Sequence, residues 1–192
     1  CIRDSGIDVL ASSTTDAVGS ICDPDFVASI ANDADAVIHT ATLHKPHVAS
    51  HTKFDFFDVN LRGTQVLLDI AIRRKMRSFV FTSTTSTFGK ALSAEGAAVW
   101  VTEDLRPVPK NIYGVTKVAA EDLCQLAWQD HGLPCVVLKT SRFFPEEDDM
   151  SHALEGYEQD NLKTIEFLNR RVDIEDVVSA HELALELSLI HI

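Results

Sequence analysis

The sequence lacks several features that would place it in a special class of protein. Its 192 residues include only four cysteines, and these form no Cys-x-x-Cys pair or other metal-ligand spacing. No apolar run approaches the ~18 residues of a membrane helix, and the N-terminus has no signal-peptide pattern. We therefore predict a protein of the reducing cytoplasm that has no metal site and does not cross a membrane.

Positive charge is also scarce. Lys and Arg number 17 against 29 Asp and Glu, which gives a formal net charge of -12. Because a nucleic-acid binder needs a basic face to neutralise phosphates, we predict no nucleic-acid partner. The local basic cluster of Arg73, Arg74, Lys75 and Arg77 ends a predicted helix, where cations complement exposed carbonyl groups.

The order of apolar segments indicates the fold class. Short apolar runs alternate with longer segments of helical periodicity, a pattern typical of an α/β protein with a doubly wound parallel sheet. The predicted strands are residues 7–11, 16–21, 36–40, 78–82 and 135–139. Three helices are predicted. The first starts at Asp23-Pro24, and the other two cover roughly residues 52–77 and 111–131. In this architecture ligands bind outside the carboxyl ends of the strands.

Residues that could carry chemistry follow these strands. Tyr113 and Lys117 lie four residues apart on one face of a predicted helix. A nearby ammonium favours the phenolate, and a hydroxyl from Ser83 or Thr84 at a strand end could share the substrate oxygen. Such a trio suits hydride transfer between a cofactor and a carbinol or carbonyl carbon. By itself a Tyr-x-x-x-Lys pair is more typical of a solvated helix face, and its position after a Ser/Thr-rich strand end favours the catalytic interpretation.

Five segments, in order along the chain, resemble the extended short-chain dehydrogenases/reductases, also called the NAD-dependent epimerase/dehydratase family. They are residues 35–41, 59–64, 81–89, 113–117 and 171–180. The resemblance implies that Tyr113 is the general acid/base, that Lys117 binds the nicotinamide ribose and lowers the tyrosine pKa, and that Thr84 bonds the substrate oxygen. The further cofactor-side residues it implies are Thr40, Ala41, Asn60, Thr82, Ser83 and Thr140.

The resemblance also implies the cofactor, the substrate class and the domain organisation. We expect NAD, with NADP as the alternative, a substrate that is a sugar, a sugar nucleotide or a similar hydroxy/carbonyl compound, and a homodimer as the candidate assembly. Residues 1–142 would form part of the dinucleotide-binding domain, and residues 143–186 part of a small substrate-binding region. Residues 187–192 are expected to be a non-native tail.

Two family features are missing from the sequence. No glycine-rich phosphate loop is present, and the family places it on a first strand before Cys1. We therefore expect an incomplete chain that lacks the first βα unit, so that the strands on either side have no common partner. The acidic residue that holds the NAD ribose at the end of the second strand is not evident either, since Ala11-Ser12-Ser13 stands there.

A third departure concerns the reaction. The family's dehydratases carry Thr-Asp-Glu where this chain has Thr84-Thr85-Ser86. Without the two carboxylates we expect an epimerase or a dehydrogenase/reductase, unless Glu103 or Asp104 substitutes as a base. A non-catalytic nucleotide-binding sensor or scaffold on the same fold is the alternative. His39 is expected to pack beside the sheet without a catalytic role.

Overall fold

The computed structural model describes residues 4–92, 99–144 and 171–186. The strands are β1 (Ile7–Asp8), β2 (Ala17–Val18), β3 (Ala36–His39), β4 (Ser78–Thr84), β5 (Cys135–Thr140), β6 (Arg142–Phe144) and β7 (Arg171–Asp173). The α-helices are α1 (Pro24–Ile30), α2 (Lys53–Phe57), α3 (Gly63–Arg73), α4 (Ile112–His131) and α5 (Ile174–Glu186). Within these residues no helix has the length and apolar character needed to span a bilayer.

The central sheet has the order β3-β4-β5, and its strands are parallel. Successive residues of β4 point to opposite faces, as the strand geometry requires. Phe79 and Phe81 are buried in a core formed with α1, α3 and α4, whereas Val80 is buried against Ala184 and Leu185 of α5. Helices thus cover both faces, which explains why the predicted strands are apolar throughout rather than alternating.

The helix boundaries follow from capping residues. The Asp23 side chain accepts hydrogen bonds from the first amides of α1, and Pro24 occupies its first turn, as predicted. Asn111 caps α4 by accepting from the Gly114 amide. The helix ends at Gly132, whose φ of 67° is a left-handed conformation that glycine adopts without strain.

The sheet is divided where the sequence predicts a missing central strand. Among the residues that the structure describes, β1 pairs only with β2, and neither strand is hydrogen-bonded to β3. A cavity of about 170 Å³ is lined by Ser5 and Ile7 on one side and by Ala36–His39 on the other. The architecture is that of a Rossmann-like sheet without one of its strands, as the doubly wound order requires.

The last described helix packs against the central sheet. Although the sequence assigned residues 143–186 to a substrate-binding region, α5 contacts β3, β4 and β5. β6 and β7 form a parallel pair that leads into α5. Residues 145–170, which hold most of the predicted substrate region, lie outside the described residues, and so does the predicted tail at 187–192.

Candidate active site

Tyr113 and Thr84 meet at the carboxyl end of β4. Tyr113 lies in the first turn of α4 and is only 8% exposed, while Thr84 is the last residue of the strand. Burial raises the pKa of Tyr113 above its ordinary value, and the hydrogen bond with Thr84 acts in the opposite direction. The phenol is therefore protonated at neutral pH and is placed to share one oxygen ligand with Thr84.

Lys117 lies one turn further along α4 and points toward the sheet. Its Nζ donates to the Thr82 carbonyl oxygen at 2.6 Å and lies 4.0 Å from the centre of the Phe81 ring. Burial lowers the pKa of Lys117 to about 8, while Glu121 and Cys124 pull it upward. The pKa of Tyr113 is thus raised, not lowered as the resemblance implied, because desolvation outweighs every other influence acting on it.

Glu121 extends this group and was not predicted from the sequence. One of its carboxylate oxygens accepts a hydrogen bond from the Ser83 hydroxyl, and the other pairs with Lys139 Nζ at 2.6 Å. Thr140, predicted on the cofactor side, donates from its hydroxyl to the Ser83 carbonyl at 2.9 Å. A signal for Glu121 exists in the sequence, because it follows Lys117 by the same four-residue step that separates Lys117 from Tyr113.

Asn60 connects the loop after β3 with α4. Its side-chain amide donates to the Leu43 carbonyl at 2.9 Å and to the Thr116 hydroxyl at 3.0 Å. Its oxygen accepts from the Leu43 amide at 2.8 Å and from the Thr42 hydroxyl at 3.0 Å. With 2% exposure and all these bonds in place, Asn60 is a structural clamp that fixes the segment carrying Thr40 and Ala41.

Thr82 is turned away from the other predicted cofactor residues. His181 on α5 donates from Nδ1 to the Val177 carbonyl, at 2.7 Å, because a carbonyl oxygen can only accept. Its Nε2 is then the acceptor for the Thr82 hydroxyl, also at 2.7 Å. The Thr82 hydroxyl is thus engaged by α5, and Thr82 contributes its carbonyl oxygen, the acceptor for Lys117.

His39 is packed beside the sheet, as predicted. It is 2% exposed, lies against Phe79 and Phe81, and is hydrogen-bonded through Nε2 to the Thr64 hydroxyl at 2.8 Å. Burial, with a smaller contribution from the Lys117 charge, lowers the pKa of His39 to about 3. The imidazole is therefore neutral at physiological pH and adds no charge to the site.

The other histidines of this region are clustered on a short 3-10 helix, Lys45–Ala49, and its flanks. The rings of His44 and His47 lie 4.4 Å apart, and those of His47 and His51 lie 5.1 Å apart. Among the described residues, however, no group of His, Cys, Asp and Glu has a geometry that could hold a metal ion.

The end of β1 holds an acidic residue, Asp8, that the sequence analysis did not identify. The predicted strand ran to residue 11, where no acid follows, but β1 ends at Asp8. The Asp8 carboxylate is exposed and accepts a hydrogen bond from the Leu10 amide at 2.8 Å, which turns the chain away from the sheet. β1 therefore ends in an acidic residue, three residues before the predicted end of the strand.

A cleft of about 770 Å³ lies beside α4 and β5 and reaches Thr85. Thr85, Glu103, Glu121 and Lys139 are among the residues that line it, together with Trp128 from the later part of α4. Tyr113 and Lys117 are not among its lining residues. The cleft therefore extends along α4 and β5, away from the pair that carries the proposed proton chemistry.

A family model described as the NAD dependent epimerase/dehydratase family matches residues 6–188. A dTDP-glucose 4,6-dehydratase from Streptomyces niveus is 36% identical over 129 residues, which are 66% of this chain and 37% of that protein. An uncharacterized UDP-glucose epimerase, YtcB of Bacillus subtilis (strain 168), is 32% identical over 121 residues, or 62% of this chain and 35% of the relative. The chain spans well under two thirds of either relative.

A solved structure is also similar to this chain. A short-chain dehydrogenase/reductase superfamily protein from Agrobacterium tumefaciens, solved with bound NAD, is 26% identical and superposes with a TM-score of 0.64. The superposition covers 79% of this chain and 44% of that one.

Proposed function

The chain belongs to the NAD-dependent epimerase/dehydratase family, and from this premise we propose that the full-length protein is an NAD-dependent epimerase or dehydrogenase/reductase. Its substrate would be a sugar nucleotide, a sugar or a related hydroxy/carbonyl compound, of the kind named for the dehydratase and epimerase relatives. Tyr113 would transfer the proton, Thr84 would bind the reacting oxygen, and Lys117 would supply positive charge.

The observation that carries this proposal is the placement of Tyr113, in the first turn of α4, beside Thr84 at the carboxyl end of β4, with the buried ammonium of Lys117 one turn away. Two hydroxyls at one strand end can hold one substrate oxygen between them. The carboxyl end of a strand in this architecture is where ligands bind. A sensor of nucleotides would have no use for a buried tyrosine paired in this way with a hydroxyl.

The proposal assigns residues to two parts of a nicotinamide dinucleotide. The exposed Asp8 carboxylate at the end of β1 has the acceptor chemistry that suits the adenosine ribose hydroxyls, which favours NAD over NADP. Lys117 has the donor chemistry for the nicotinamide ribose, and Thr40 and Ala41 line the cavity beside β3. When bound, the nicotinamide accepts or returns the hydride.

The protonation states set what each residue does. Because burial raises the pKa of Tyr113, the phenol is ready to donate a proton to a carbonyl oxygen during reduction. For the reverse oxidation the phenolate must form, and a nearby cation favours it. Lys117, with a pKa of about 8, is mostly charged at pH 7 and can serve as that cation when it leaves the Thr82 carbonyl.

The residues after Thr84 argue against dehydration. Thr85 and Ser86 lie in a 3-10 turn, Thr85–Thr87, where the resemblance places the dehydratase acid and base. A hydroxyl neither takes a carbon-bound proton nor readily protonates leaving hydroxide at neutral pH. Glu103 lines the same cleft as Thr85 and is therefore the residue to examine if elimination is found.

The proposal is tested by Tyr113→Phe in the full-length protein. We expect turnover with UDP-sugars and NAD to fall by about 10²–10⁴-fold, the usual contribution of a general acid/base, with nearly unchanged NAD affinity. NAD affinity is measured by calorimetry, and Gln129→Ala, at an exposed position of the same helix, serves as the control. A near-wild-type rate would assign the chemistry elsewhere and favour the sensor.

The reaction type is tested with dTDP-glucose and NAD. We expect no accumulation of the 4-keto-6-deoxy product by mass spectrometry, because the intermediate lacks an acid and base for elimination. If that product accumulates catalytically and Glu103→Gln abolishes it, the enzyme is a dehydratase with a substituted base. If the product still accumulates in Glu103→Gln, Glu103 is not the substituted base and the argument against dehydration from Thr85 and Ser86 is wrong.

A homodimer is the partner that the exposed helix faces support. Phe54 and Phe57 on α2 and Val115 and Leu126 on α4 keep between 41% and 78% of their surface exposed, and α2 and α4 are in contact. Val115 and Leu126 lie eleven residues apart, which is three turns of helix and one face. We therefore propose this pair of helices as the dimer surface.

A further inference from the structure

Glu121 is a partly buried carboxylate that the proposed proton transfer does not use. It lies on α4, four residues after Lys117 and eight after Tyr113, so all three side chains share one face of the helix. Its side chain keeps only 14% of its surface exposed. A carboxylate at this depth is unfavourable unless it is paired and hydrogen-bonded, and its partners indicate what it does.

Both partners lie at the ends of neighbouring strands. Ser83 directly precedes Thr84 in β4, and it is the register partner of Lys139 in β5. Glu121 accepts from the Ser83 hydroxyl with one oxygen and from Lys139 Nζ with the other. One side chain from α4 thus fixes the two strand ends to the helix that carries Tyr113, immediately beside Thr84.

Glu121 also acts on Lys117 through its charge. The groups that surround the Lys117 ammonium are the Thr82 carbonyl and Phe81 ring on β4, His39 on β3 and Cys124 on its own helix. His39 is neutral at physiological pH because burial lowers its pKa to about 3. Glu121 is therefore the carboxylate that opposes the effect of burial on Lys117, and the positive charge of Lys139 on β5 is already paired with it.

We propose that Glu121 is a positioning residue with two effects: it holds the end of β4 so that Thr84 faces Tyr113, and its negative charge keeps Lys117 in the ammonium form. This inference rests on the proposed function for the importance of Thr84 and Lys117. Its electrostatic part can nevertheless be measured without any turnover.

The first experiment is a titration of Lys117 by NMR in protein labelled with ¹³C at lysine Cε, with the signal assigned by its absence in Lys117→Met. In Glu121→Gln, which keeps the shape and an acceptor for Ser83, we expect the Lys117 midpoint to fall by roughly 1 pH unit, because an opposing charge is lost. Asp122→Asn makes the same change of charge at an exposed position of α4 and should move the Lys117 midpoint by less than about 0.2 pH unit. An unmoved midpoint in Glu121→Gln overturns the proposal.

Lys139→Met provides a second variant if Glu121→Gln fails to fold. It removes the positive charge that Glu121 neutralises, so the Lys117 midpoint should rise instead of fall. A fall, or no change, contradicts the proposed role of the carboxylate. The opposite signs expected for the two variants separate a specific charge effect from general loosening of the structure.

The second experiment links the residue to turnover. In Glu121→Gln we expect kcat to fall about tenfold with little change in KM, and the pH–rate limb assigned to Lys117 to shift with the NMR midpoint. If the midpoint shifts while Tyr113→Phe remains fully active, the proposed function fails and the electrostatic role of Glu121 stands. If Tyr113→Phe is inactive while the Lys117 midpoint is unmoved in Glu121→Gln, the proposed function stands and the electrostatic role of Glu121 fails.

Discussion

Burial acts on Tyr113 and Lys117 in the same physical sense, since it favours the neutral form of each. It raises the pKa of the phenol and lowers the pKa of the amine to about 8. The structure offers two influences that oppose burial, the hydrogen bond of Thr84 on the tyrosine and the charge of Glu121 on the lysine. The protonation of the two groups is therefore set by burial together with Thr84 and Glu121.

The buried ammonium of Lys117 makes a prediction about stability. Its pKa is about 8 when folded against 10.5 as the ordinary value, so between these pH values the unfolded chain binds more protons. The free energy of unfolding therefore rises with pH across this window, by about 3 kcal/mol at most. The destabilisation caused by the buried ammonium is fully present below pH 8. Lys117→Met removes this dependence.

The measurement is urea unfolding of both proteins at several pH values from 7 to 10. We expect the stability of Lys117→Met relative to the parent to be highest near pH 7 and to decline as the pH rises. Tyr113 is present in both proteins, so its titration cancels in the difference. Parallel curves for the two proteins would indicate that Lys117 is not desolvated in the folded state.

At the scale of elements, the segment from α2 to α3 differs from the predicted continuous helix over residues 52–77. A π-helical turn, Asp58–Arg62, separates the two helices and contains Asn60. Such turns insert one extra residue and often occur at functional positions. The helix also ends at Arg73, earlier than predicted, because Lys75 adopts a positive φ of 54° and the Met76 amide bonds back to the Ala71 carbonyl.

Asn60→Ala tests the clamp that this turn positions. The substitution leaves the amide and carbonyl of Leu43 and the hydroxyl of Thr116 without their partner, which should reduce the free energy of unfolding by about 2–3 kcal/mol. Gln65→Ala on α3 is a matched control, since Gln65 is exposed and bonds only locally to Asp69; we expect a change within about 0.5 kcal/mol.

Urea unfolding with an unchanged m-value is the appropriate readout for both variants. A loss for Asn60→Ala no larger than that of the control would mean that water replaces the amide at no net cost. The loop after β3, including Thr40 and Ala41, would then have to be fixed by other contacts.

At the scale of the whole molecule, the sheet is divided between β1-β2 and β3-β4-β5. Helix N-terminal amides behind a glycine-rich loop are the usual anion site for a dinucleotide pyrophosphate, and the 192 residues contain no such loop. We therefore predict that this chain alone does not bind NAD or NADP at micromolar concentration, whereas the full-length protein does. The measurement is calorimetric titration of this chain and of the full-length protein with NAD and with NADP. Micromolar binding by the chain alone would contradict the prediction.

The sequence by itself determined the elements and the pairings that are local. Apolar runs of strand length, the Asp23-Pro24 start of α1 and the four-residue spacing of Tyr113 and Lys117 depend on neighbours along the chain, so periodicity and capping reveal them. Even so, the weak apolar pattern around β1 misplaced its end and hid Asp8, because a two-residue strand has too little periodicity to read.

Only the tertiary structure decided which side chains meet. Ser83 and Lys139 are 56 residues apart, by subtraction of their numbers, and are brought together by the parallel register of β4 and β5. Glu121 reaches both, and Lys117 turns inward to the Thr82 carbonyl, because α4 packs across those strands. No local pattern encodes such contacts, since they depend on how distant elements pack and on how strongly burial then disfavours each charge.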